Sequence, residues 1–357
     1  MAGQLTPLWR PAADLDPVHI ADEIRQLGAP AQHDDTTQQV DLARAAVIER
    51  DVLAPIPIGV GEDSKPVLMN MPGDNGRHVL AIGASGAGKT TFMHTVLMAV
   101  APRRNVAIVL VDPKELDFAM WEQRAAMMAL GEGGAVTAFA HVVAELNYRK
   151  AVLREYNRLA VANNWTPLVT MPVGVPVLGQ TFTYILLATD ELETLTDTSA
   201  DPAAKQRRAQ LRRILRLGRA LGIGVLDATQ RPSYDVVPLN LRDLHRTRVV
   251  FGTESLEQSK IGWGEGVAEL DPYPPHRIRQ IGEAFLRVDR VPTHFQGYFP
   301  TPQQIANVAA AYPQVCGPAS WPHVIEDDDD TSGCPLCGHD PDTDPEDQPP
   351  ARRKTRR

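Results

Sequence analysis

The sequence predicts an α/β fold, a parallel-rich sheet covered by helices on both faces. Three observations predict it. Apolar runs of β character recur at residues 78–82 (HVLAI), 105–112 (NVAIVLVD), 183–190 (TYILLATD), 222–230 (GIGVLDATQ), 248–252 (RVVFG) and 284–288 (AFLRV). They are nearly continuous rather than alternating, as strands covered on both sides require. Longer helical patterns lie between them, and the first run leads directly into GASGAGKTT at 83–91 followed by the helix-like TTFMHTVLMAV.

The glycines at 83 and 88, followed by Lys89 and Thr90, have the spacing G-x-x-x-x-G-K-[ST]. A turn of this kind aims successive N–H groups at phosphates, and the following helix adds its positive end. The nucleotide-binding residues are therefore Gly83, Ala84, Ser85, Gly86, Ala87, Gly88, Lys89, Thr90 and Thr91. Lys89 supplies a point charge for the β- and γ-phosphates of ATP, and Thr90 a hydroxyl for Mg²⁺. The run YILLATDE ends in Asp190 and Glu191. Asp190 is placed to hold the metal, and Glu191 to orient and deprotonate an attacking water, so hydrolysis is expected. The run at 222–230 ends in Gln230, suited to sensing the γ-phosphate from within the sheet.

Before the sheet, residues 1–52 read as a small helical leader with amphipathic segments near 18–27 and 40–52. After it, residues 314–357 form a tail rich in Pro and Asp, with EDDDD at 326–330 and ARRKTRR at the end, too polar to offset its ordering entropy. The chain of 357 residues carries a net charge of −8, of which −5 falls in residues 315–357. The nearly neutral body carries no global signature of nucleic-acid binding, so any such surface must be local. Three cysteines and a start without signal-peptide character point to a reducing, cytoplasmic setting. No apolar run approaches the roughly 20 residues needed to span a bilayer, so membrane association is expected only through partners.

LGIGVLDATQRPSYDV (221–236), together with IPIGVGEDSKPVLMNM before the phosphate loop and LVDPKELDF at 110–118, resembles the FtsK/SpoIIIE family of DNA-translocating motors. The likeness continues through 143–160, 244–255 and 282–301, and so covers about residues 53–313 in order. It implies a RecA-like P-loop ATPase that forms a ring, usually a hexamer, around double-stranded DNA. The catalytic set carried over is Lys89, Glu191 and Gln230, with Asp190 and Thr90 for the metal. Asp112, Pro113 and Lys114 match the family's DPK block. Rings of this kind complete each site with an arginine from the neighbouring subunit, for which Arg248 and Arg219 are the candidates.

Some positions depart from the family pattern. Thr189 replaces an aliphatic residue before the acid pair, Asp227 interrupts an apolar strand, Thr194 stands where the family often has aspartate, and Lys260 where arginine is expected. The membrane-spanning amino-terminal region and the winged-helix module of the full-length motors are missing from the pattern. This compact form is similar to family members of actinobacterial plasmids, integrative elements or their phages, which implies a role in DNA transfer or segregation.

KQRRAQLRRILRLGRA (205–220) is the local basic cluster. At helical spacing Lys205, Arg208, Arg212, Arg216 and Arg219 share one face, with Arg213 at its edge, opposite Leu211, Ile214, Leu215, Leu217 and Leu221. No acid offsets them, which points to an anionic partner: the DNA backbone, an adjacent subunit or its nucleotide. Cys334, Cys337 and His339, in CPLCGHD, have the turn of a zinc knuckle without a second Cys-x-x-Cys pair, so a zinc-binding tail and a metal-free one both remain open. The alternative function is that of a type VII secretion-like ATPase moving protein substrates.

Overall fold

Apolar sequence becomes strand and amphipathic sequence becomes covering helix in the computed structural model of the chain. It describes residues 39–74, 77–198, 203–230, 237–288 and 291–312, and of the C-terminal stretch 314–315, 317–318, 321 and 324–325. The first described elements are α1 (Leu42–Val52), the hairpin β1 (Ile56–Gly61) and β2 (Pro66–Met69), β3 (Val79–Ile82), α2 (Lys89–Val100), β4 (Val106–Asp112) and β5 (Met127–Leu130). Then come α3 (Gly131–Asn163), the small hairpin β6 (Pro176–Val177) and β7 (Gln180–Thr181), β8 (Tyr184–Thr189), α4 (Leu192–Thr196) and α5 (Ala204–Leu217). The last are β9 (Ile223–Thr229), α6 (Leu239–Arg242), β10 (Thr247–Phe251), α7 (Leu256–Trp263), β11 (Glu283–Val288), β12 (Val291–Gly297), α8 (Pro302–Ala311) and β13 (Val324–Ile325).

One sheet runs in the order β13-β5-β4-β8-β9-β3-β10-β11-β12-β1-β2. From β13 to β10 every pairing is parallel. From β10 to β2 every pairing is antiparallel. The predicted parallel-rich sheet is therefore present, extended by an antiparallel wing of which only β11 stood out in the sequence. The strands β3, β4, β8, β9 and β10 are buried along their whole length. Their alternate residues feed two cores. Leu226 and Ala228 of β9 join Phe92, Val96 and Leu97 of α2 on one face. Ile223 and Val225 join Phe139 and Leu146 of α3 and Leu211 and Ile214 of α5 on the other. Each helix thus covers a strand row that would otherwise expose apolar surface, at about 25 cal/mol per Å².

The 40–52 segment is helical as expected, with the Asp41 side chain accepting the Arg44 N–H at the N-terminus of α1. Val52 is packed into the same core as α2. The 18–27 segment, the acidic run and the terminal arginines lie outside the described residues, as do Cys334, Cys337 and His339. Among the described residues, no helix is long and apolar enough to cross a membrane.

Candidate nucleotide site

Parallel strands deliver their following loops to one edge of the sheet, and there the 83–91 loop, Asp190, Glu191 and Gln230 meet. The phosphate loop leaves β3 between its neighbours: Gly83 N donates to Thr229 O of β9 at 3.4 Å, and Ala84 N to Gly252 O after β10 at 2.7 Å. Gly86 (φ +72°) and Gly88 (φ +114°) take up backbone conformations that side chains disfavour. A Cβ on Gly88 would stand 3.0 Å from Gly282 Cα, while one on Gly86 would meet nothing within 4 Å. The loop is thus braced from below and open above.

Lys89 opens α2 and folds back on this loop, its Nζ donating to Gly83 O at 2.8 Å and Ala84 O at 2.9 Å. Burial pulls its ammonium below the ordinary lysine range, against the attraction of Asp190 and Glu191. The Thr90 hydroxyl donates to Asp190 Oδ2 at 2.9 Å, bridging 100 residues of sequence. Asp190 Oδ1 accepts the Glu191 N–H at 2.8 Å. Asp190 is 3% exposed. Burial, reinforced by the charge of Asp117, pushes its carboxyl up to about 6.

Glu191 adopts the left-handed region (φ 52°, ψ 54°) as it enters α4, a strain of order 1–3 kcal/mol for a non-glycine residue that clusters at functional sites. Its carboxylate is buried, and Oε2 accepts from Lys114 Nζ at 2.9 Å and from Gln230 Nε2. Burial alone would raise this carboxyl. The Glu193, Lys114 and Gln230 side chains outweigh it and hold the group below the usual glutamate range. The ionised form is the one that accepts a proton from water. Burial draws Lys114 down, while the bond to Glu191 more than restores it.

Two members of this constellation escaped the sequence reading. In the sequence Lys114 stands only as part of the DPK block, and no motif sets Asp117 apart. Asp112, in contrast, is no part of the reacting surface: Oδ1 accepts the Lys114 and Glu115 N–H groups and Oδ2 those of Asp117 and Phe118. It organises the turn that carries Lys114 to Glu191 and Asp117 to Asp190. The acid five residues after Asp112 was the available signal.

These residues fit a magnesium nucleotide. The open side of the loop meets bare backbone at Gly86, and Thr90 and Asp190 set two oxygens beside it. Mg²⁺ takes one or two protein oxygens of this kind and leaves its remaining positions to water and phosphate. Among the described residues no group of three or more His, Cys, Asp or Glu forms a metal cage.

The family model for FtsK/SpoIIIE matches residues 41–234, from α1 past the end of β9. The chain belongs to the FtsK/SpoIIIE family. It is 27% identical over 293 residues to the DNA translocase FtsK of Corynebacterium efficiens, covering 78% of this chain and 29% of that one. The DNA translocase FtsK of Streptomyces coelicolor is 29% identical over 247 residues, 65% of this chain and 25% of the relative. The chain thus spans under a third of the length of these relatives. Among solved structures it resembles the pCW3 conjugation coupling protein TcpA, in a monomer form with ATPγS, at a TM-score of 0.56 and 19% identity, covering 78% of this chain and 73% of that one. The cytoplasmic domain of the Thermomonospora curvata type VII secretion ATPase EccC gives a TM-score of 0.53 and 22% identity, over 87% and 34%. At these identities the likeness establishes the fold alone, a mostly parallel sheet covered by helices.

Within this FtsK/SpoIIIE domain the two candidate arginines lie away from the phosphate loop. Arg248 of β10 is in register with Leu80, near the start of β3. Its guanidinium is buried, donating to Gly262 O at 3.1 Å and Arg242 O at 3.4 Å, and burial lowers it to about 10. That side chain ties α7 to the sheet from within its own chain. Arg219 is exposed, just before β9. The basic helix α5 turns Leu211, Ile214 and Leu215 inward as predicted. Lys205, Arg212, Arg213 and Arg216 are exposed, and Arg213 bonds Asn147. Arg208 is half-buried and donates to Thr196 O. The unforeseen Arg207 is 1% exposed and donates to Leu195 O at 2.7 Å.

Proposed function

We propose that this chain is an ATP-driven translocase of double-stranded DNA that works as a ring-shaped oligomer in the cytoplasm, in DNA transfer or segregation of a mobile element. The observation that carries the ATPase reading is the Glu191 carboxylate, held ionised between Lys114 and Gln230 beside the Thr90–Asp190 pair. The curated relatives named DNA translocase FtsK and the likeness to a conjugation coupling protein support the choice of substrate.

In this reading the loop N–H groups from Gly83 to Gly88 and the Lys89 ammonium bind the phosphates, exchanging the Gly83 and Ala84 carbonyls for phosphate oxygens. When bound, Mg²⁺ neutralises charge on the β- and γ-phosphate oxygens. Thr90 and Asp190 are the residues that hold it. Glu191 orients the attacking water and accepts its proton, while Gln230, bonded to the same carboxylate, links the state of the site to β9. The ring follows from a head-to-tail contact that closes, with exposed Arg219 completing a neighbouring site. The exposed face of α5 tracks the DNA backbone without reading sequence.

ATP turnover tests the proposal: purified protein with linear duplex, with single strands and without nucleic acid, each beside Lys89→Ala. Duplex-stimulated turnover that Lys89→Ala loses supports it. Turnover indifferent to DNA would favour the alternative, a type VII secretion-like ATPase moving protein substrates, to which the likeness to the type VII secretion ATPase EccC points.

A further inference from the structure

The two positions where the strands depart from the family's aliphatic pattern, Thr189 and Asp227, are direct partners across the parallel β8–β9 ladder. Register partners project from the same face of a sheet, and Thr229, two residues along, shares that face. All three are 0% exposed. Among the described residues, Thr189 Oγ1, Asp227 Oδ1 and Thr229 Oγ1 have no hydrogen-bond partner. The other carboxylate oxygen, Asp227 Oδ2, is taken by His245 Nε2 at 2.8 Å, and His245 Nδ1 faces Leu241 O at 3.2 Å.

Three orphan oxygens gathered in an apolar core are costly, and buried polar groups of this kind are ordinarily satisfied by protein or ordered water. A buried water typically makes about three hydrogen bonds. One water gives each of the three oxygens a partner by accepting from both threonine hydroxyls and donating to Asp227 Oδ1. Its neighbours along the chain are the working residues. Thr189 precedes Asp190 and Glu191. Thr229 precedes Gln230, and its carbonyl accepts the Gly83 N–H that starts the phosphate loop.

We infer that Thr189, Asp227 and Thr229 enclose one ordered water that locks β8 to β9 and thereby positions Glu191 against Gln230 for hydrolysis. Thr189, Asp227 and Thr229 are positioning residues. The kinetic half of the inference rests on the ATPase reading above, whereas the water does not.

A high-resolution crystal structure of the nucleotide-free protein tests the water directly: density within hydrogen-bond distance of all three oxygens is expected, and a dry site overturns the inference. The isosteric Thr189→Val and Thr229→Val test positioning. Each is expected to lower kcat about tenfold with KM for ATP changed less than about twofold, and Thr189→Ser to restore it. Valine variants that melt higher than the parent and keep its kcat would overturn the inference, because they would report hydroxyls with nothing to bond. A parent protein without ATP turnover would instead refute the ATPase reading and leave the density to decide the water.

Discussion

Lys114 Nζ stands 2.9 Å from Glu191 Oε2, across 77 residues of sequence, although the lysine side chain is 43% exposed. The contact exists because β4 and β8 are adjacent parallel strands whose following turns meet. Lys114 helps hold the Glu191 carboxylate ionised. Lys114→Met is therefore expected to raise the Glu191 pKa, moving the acid limb of the kcat/KM profile to higher pH. A pH–rate profile of both proteins checks this, and an unmoved limb would make Lys114 a bystander.

Asp190 sits at a stability cost. Its carboxyl is raised from an ordinary 3.8 to about 6 by burial and then by Asp117. Between those values the folded state holds the extra proton, so this residue's contribution falls as pH rises through that window. Asp190→Asn is expected to stabilise the nucleotide-free protein near pH 7.5 by on the order of 1–3 kcal/mol, and by almost nothing below about pH 4. Urea unfolding at both pH values measures it, and the same variant is expected to lose Mg²⁺-dependent hydrolysis.

What the sequence made legible follows from where each signal resides. The strands β3, β4, β8, β9, β10 and β11 announced themselves because β-branched and apolar residues fill them. β5 reads Met-Met-Ala-Leu, which favours no strand. β2 is only four residues long and opens on a proline, with alternate residues buried, while β12 mixes polar and apolar residues. The phosphate loop and the acid pair were legible because each is contiguous. The bonds from Lys114 to Glu191 and from Gln230 to Glu191 were not, because they depend on strand order, which local pattern does not encode. The burial of Arg248 was illegible for a related reason: a motif position says nothing of where the guanidinium points, here to the carbonyls of Gly262 in α7 and Arg242 in α6.

The two left-handed glycines of the phosphate loop separate backbone strain from crowding. Gly86→Ala meets open space and is expected to cost about 1 kcal/mol for its torsion alone. Gly88→Ala adds contact with the Gly282 backbone at 3.0 Å and is expected to cost about 2–4 kcal/mol. Denaturant midpoints rank the two, and equal costs would mean that the Gly282 segment yields.

Lys205, Arg212 and Arg216 form the exposed basic face of α5. If they contact phosphates, Arg212→Ala and Arg216→Ala should each weaken duplex binding alike on unrelated sequences and reduce the salt slope by about 1. Binding titrations across a salt series read both quantities. Unchanged DNA affinity with loss of self-association would instead assign this face to a subunit contact.

On the proposed function, ATP splitting at Glu191 moves the chain along a duplex. The most direct measurement is displacement of a tightly bound roadblock protein from linear duplex DNA by the parent protein and by Glu191→Gln, with and without ATP. Displacement is expected from the parent only with ATP, and none from Glu191→Gln. A parent that hydrolyses ATP on duplex yet leaves the roadblock in place would contradict it.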